Sequence, residues 1–79
     1  MRRMQKMIHY KLNRGSFDHA ELGAYVSYGL TAYDENEQLL QTISDISISE
    51  QAVSALVSLC NKLQVSLIHM DDIVADFLA

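Results

Sequence analysis

Three histidines, His9, His19 and His69, and the carboxylates Asp18, Asp71 and Asp72 are residue types that bind zinc or another transition metal. Their spacing is not that of a metal motif. His9 falls on the polar parity of an expected strand, His19 in a loop and His69 at a helix start, so nothing in the sequence forces them together. The simpler reading gives them three separate surface or capping roles, with no metal and no cofactor. A metal-binding protein or small enzyme built on His69 and its neighbouring aspartates stays as an alternative.

Cys60 is the one cysteine, and a reactive thiol needs an electropositive, partly exposed setting. It stands instead in an apolar stripe, where a free cysteine packs as a small hydrophobe. Asp71, Asp72 and Asp76, with Asp72 and Asp76 four apart on one helix face, resemble paired carboxylates for acid/base work or a cation site, but a solvated helix face, with Asp71 and Asp72 near the N-terminus where the dipole favours them, is the simpler reading. Ser44, Ser47 and Ser49 beside Asp45 could form a phosphorylation patch, but helix capping explains Ser47 and Ser49 more simply. Gly15, Gly23 and Gly29 are isolated, so no glycine-rich phosphate loop exists. No catalytic residue is assigned.

The elements that would position these groups follow from the apolar pattern. Met4, Ile8, Tyr10 and Leu12 share one parity against Gln5, His9 and Lys11, which predicts a strand over 4–12. Asn13-Arg14-Gly15-Ser16 is turn chemistry, so 13–23 is expected to be a long hairpin connection. Over 24–33 a second strand sets Ala24, Val26, Tyr28, Leu30 and Ala32 against Tyr25, Ser27, Gly29, Thr31 and Tyr33. After a polar turn at Asp34-Glu35-Asn36-Glu37, a third strand is predicted over 39–46. Ser47 with Glu50 fits a capping box, and Ser49 is a rival cap, for a helix reaching about Gln64. Its stripe is Val53, Leu56, Val57, Cys60 and Leu63, opposite Ser54, Ser58, Asn61 and Lys62. Ser66 caps a second helix with Met70, Ile73, Val74, Phe77 and Leu78 on one side. The fold class expected is α+β: a three-stranded antiparallel meander followed by two helices on one face of the sheet.

Seventy-nine residues make one domain, 1–79, and 49% hydrophobic residues make it globular. Such a chain is small enough to gain from a staple or a partner, and a lone cysteine offers no internal disulfide. That unpaired thiol fits a reducing compartment, so a cytoplasmic location is expected. The start lacks the apolar run of a signal peptide, and no segment is apolar enough to span a membrane, in keeping with a mean hydropathy of +0.03. Arg2, Arg3, Lys6, Lys11 and Arg14 give the first 14 residues +5, while Lys62 and the ten acids give the rest −9. A basic strand beside acidic elements of the same fold or of a partner subunit explains this better than a nucleic-acid arm, because the chain is acidic overall. Nucleic acid binding is therefore the second choice.

The strings Tyr28-Gly29-Leu30-Thr31-Ala32-Tyr33-Asp34, Ile43-Ser44-Asp45-Ile46-Ser47 and Leu59-Cys60-Asn61-Lys62-Leu63, with Ser66 to His69 and Asp76-Phe77-Leu78, carry a resemblance. Over about residues 25–78 the chain resembles a family of short, uncharacterised Gram-positive bacterial proteins known only as a domain of unknown function. That family has a glycine at the second hairpin turn where this chain has Asn36-Glu37. The resemblance implies no activity, cofactor or site residue. What the residues favour is a non-enzymatic protein-interaction module acting as a homodimer. Tyr25, Thr31 and Tyr33 on the sheet face away from the helices form the candidate interface.

Overall fold

The computed structural model describes residues 7–79, so Arg2, Arg3, Lys6 and the predicted strand residues 4–6 lie outside the described residues. Three strands, β1 (His9–His19), β2 (Gly23–Tyr33) and β3 (Leu39–Ser47), are followed by two helices, α1 (Glu50–Leu63) and α2 (Leu67–Leu78). The strands form one antiparallel sheet in the order β1-β2-β3. Both helices pack on one face, α1 across all three strands and α2 beside β3. The α+β meander expected from the sequence is the fold.

The core follows the parity and the stripe. Tyr10, Leu30, Ala32 and Ile46 from the sheet meet Val53, Leu56, Val57, Cys60, Met70 and Val74 from the helices, all buried. Leu63, which the heptad-like spacing put in the stripe, is 57% exposed, and Phe77 and Leu78 also face outward. Each lies near the end of its helix. Helix α1 is capped by Ser49, whose hydroxyl accepts from the Ala52 amide at 3.2 Å. The Ser47 hydroxyl acts one step earlier, accepting from the Ser49 amide. The helix closes in a Schellman arrangement, with Gln64 at φ 51° and the Val65 amide bonded to Cys60 O. Ser66 caps α2 as expected, accepting from the His69 amide.

The largest correction is at the first hairpin. Residues 13–19 are strand, and only 20–22 separate β1 from β2. Cross-strand pairing outweighs the turn propensity of Asn13-Arg14-Gly15-Ser16. The Asn13 side-chain Nδ2 donates to Thr31 Oγ1 at 2.8 Å, and the Phe17 ring lies over Gly15, 3.0 Å from where a Cβ would stand. The turn chemistry sits later. His19 Nδ1 accepts from the amides of Glu21 and Leu22, and Gly23 takes φ +79°. The second hairpin turns without glycine: Glu37 N bonds Asp34 O and Glu37 takes φ 64°, while Asp34 Oδ1 accepts from the amides of Asn36 and Gln38. The Asp34 side chain thus holds this turn with no glycine in it.

Candidate interaction surface

β1 and β2 are longer than β3 can flank. Ser47, the last residue of β3, pairs with Tyr28, and Tyr28 pairs with Arg14 on its other side. Beyond that row the sheet has two strands, a hairpin arm over 15–27 in which the five β2 residues beyond Tyr28, down to Gly23, project about 17 Å. The helix layer ends before the arm does: on the helix-side parity Leu30 is fully buried, Val26 half-buried and Ala24 exposed. Leu22 at the tip is 73% exposed. The arm contributes to a long molecule, with principal extents of 56 × 24 × 18 Å.

On the other face of the arm, Phe17 and Tyr25 are cross-strand partners with ring centroids 5.7 Å apart, both half-buried. The Tyr25 hydroxyl donates to Asp45 Oδ2 at 2.8 Å. This bond, ahead of burial and the Asp45 charge, raises the Tyr25 pKa above its ordinary value. Asp45 reaches it because β3 bulges. Ser44, Asp45 and Ile46 stand opposite the single residue Gly29, and Asp45 takes φ 57°. The bulge presses on Gly29, where a Cβ would meet the backbone oxygen of Ile43.

The expected interface residues separate along β2. Tyr25 belongs to the arm, and Tyr33 stands eight residues away, about 27 Å along the strand, under the Lys11 ammonium at 4.9 Å from its ring centroid. Thr31 between them is only 6% exposed and accepts the Asn13 bond. The tyrosines therefore form two aromatic ends of the face rather than one patch.

The edge of β1 changes character along its length. At Tyr10 the outward backbone groups are taken by Asn61 of α1: Tyr10 N donates to Asn61 Oδ1 and Asn61 Nδ2 donates to Tyr10 O, both at 2.8 Å. Tyr10 and Ala32 are thus a non-hydrogen-bonded pair, and by alternation the backbones of Leu12, Arg14, Ser16 and Asp18 also point outward. Among the described residues no side chain or loop bonds these groups. The expectation that Asn61 lies on the solvent side of α1 is therefore corrected. It stands four residues after Val57, on the stripe itself, and that spacing was the signal for it.

The histidines do not converge. His9 and His19 begin and end the same strand and His69 is on α2. Among the described residues no group of three or more His, Cys, Asp or Glu side chains is placed to hold a metal ion. Cys60 is fully buried, and burial raises its thiol pKa. Lys11 pairs with Glu37 at 3.4 Å, so one base of the basic strand meets an acid of the same fold. Among the described residues no helix is long and apolar enough to cross a membrane.

An antiparallel meander backed by two helices on one face, with a hairpin arm that runs on beyond β3, defines a small α+β protein. The chain matches the family of unknown function DUF6514 over residues 2–79 and belongs to that family. No curated protein and no solved structure gives a significant match.

Proposed function

We propose that the protein is a non-enzymatic interaction module that acts as a homodimer, with the hairpin arm as its contact element. The observation that carries this reading is the arm itself. A two-stranded ribbon with both edges open is marginal in water, and its backbone groups are a template for another strand. Over 15–27 it carries Phe17, Leu22, Tyr25 and Val26 outside the helix-covered core. A second copy of the chain covers such a ribbon with no further component. Of Tyr25, Thr31 and Tyr33, Tyr25 is the one carried on the arm, next to the contact strand β1, and Tyr33 stands at the margin with Lys11. A cytoplasmic, bacterial and specifically Gram-positive setting belongs to the same reading, supported by the lone buried thiol and by the resemblance in sequence. Binding of nucleic acid through the basic strand is disfavoured by the Lys11–Glu37 pair.

Sedimentation equilibrium of the full chain at micromolar concentration tests the proposal. The expected mass is that of two chains, and a single-chain mass over this range sinks it. A DNA or RNA affinity that falls steeply with salt points instead to a regulator of nucleic acid.

A further inference from the structure

Resting on the homodimer reading, we infer that two copies pair antiparallel through the free edge of β1, about a two-fold axis at Ser16, so that Arg14 of each chain faces Asp18 of the other and the two sheets become one of six strands. The available edge fixes the limits. Asn61 occupies the outward groups of Tyr10, and the strand ends at His19, which leaves Leu12, Arg14, Ser16 and Asp18 pointing outward. On the opposite side of the arm only Ala24 and Val26 are unflanked by β3, a shorter edge. No proline interrupts either strand.

Charge selects the register. A symmetric antiparallel pairing must bring even-numbered outward residues face to face. An axis at Arg14 sets Arg14 against itself, and like charges directly opposite repel. An axis at Gly15 sets Arg14 against Ser16 and leaves both charges without a direct partner. The axis at Ser16 makes two Arg14–Asp18 pairs per dimer. Both side chains are exposed, and among the described residues neither forms an ion pair within its own chain. Because the axis is normal to the sheet, both helix layers stay on the same face at opposite ends of the joined ribbon. Each lies beside the other copy's arm.

The test is a charge swap combined with a cysteine scan on the full chain. Arg14→Asp and Asp18→Arg should each raise the dimer dissociation constant roughly tenfold, and the double swap should restore it. Ser16→Cys should form an intermolecular disulfide on mild oxidation, since directly opposed hydrogen-bonded residues lie about 5.5 Å apart between Cα atoms. Leu12→Cys and Arg14→Cys should not. A wild-type chain that stays monomeric overturns this pairing together with the homodimer reading. A dimer indifferent to both charge reversals, or one that cross-links at residue 12 or 14 instead of 16, overturns the pairing alone.

Discussion

The Asn61 carboxamide faces the Tyr10 backbone as a neighbouring strand would, giving one hydrogen bond and taking one, each 2.8 Å long. A helix side chain thereby completes the ladder at the start of an edge strand. The Tyr10 hydroxyl completes the joint from the other direction by donating to Val65 O at 2.7 Å. β1, α1 and the α1–α2 connection are locked at one residue.

Asn61→Ala removes both partners of the Tyr10 backbone and leaves them in a partly covered site. The expected loss is about 2 to 3 kcal/mol of unfolding free energy, measured by urea denaturation. A midpoint equal to wild type would mean that water replaces the carboxamide at no loss and that the lock is incidental.

Leu56→Ala opens a space between α1 and the sheet, where Leu56 is 5% exposed. A loss of about 2 to 5 kcal/mol is expected, a large part of a small domain's stability. Thermal melting checks it, and an unchanged Tm contradicts the facing of α1.

Cys60 should react slowly with a thiol reagent in the native protein and quickly in denaturant. It is fully buried, and burial raises its pKa so that little thiolate is present at neutral pH. Equal rates in the two states would place the thiol outside the core.

The Tyr10 hydroxyl is pushed up to about 12, first by burial and then by the neighbouring Cys60 and Asp71, from an ordinary 10.0. A raised acid favours its neutral form in the folded state. The contribution of Tyr10 is therefore complete below pH 10 and is lost as pH rises from 10 towards 12. Urea midpoints recorded across that window should fall more steeply for wild type than for Tyr10→Phe. Parallel curves would show that Tyr10 ionises as easily folded as unfolded.

The sequence showed the sheet order, the helix caps near Ser49 and Ser66 and most of the core, because parity in strands and 3.6-residue spacing in helices report burial directly. It misled at Asn13-Arg14-Gly15-Ser16, where local turn propensity competes with long-range pairing to 26–29 that no local pattern displays. The arm was hidden by that same error, since a strand read as a loop leaves nothing to project. Asn61 was misplaced because a polar residue was assigned to solvent by type rather than by its spacing from Val57. The β3 bulge left no mark beyond Gly29, and a glycine in a strand has several explanations.

Gly29 supplies the last prediction, because its lack of a side chain is what lets β3 bulge. A Cβ at this position would run into the backbone oxygen of Ile43, with Ser44 Cα at 2.9 Å and Asn13 Oδ1 at 3.0 Å. Asn13 could turn away, although its bond to Thr31 would be lost. The Ile43 and Ser44 backbone could withdraw only if the bulge moved, and the bulge holds Asp45 against Tyr25 and Ile46 in the core. Gly29→Ala is therefore expected to cost about 3 kcal/mol or more, at the upper end of overpacking effects. The damage should be local in character. Amide hydrogen exchange should lose protection first over Ile43–Ser47, while α1 keeps its own. If Gly29→Ala melts like wild type and exchanges uniformly, the close approach of β3 to Gly29 is absent in solution, and with it the positioning of Asp45 beside the arm.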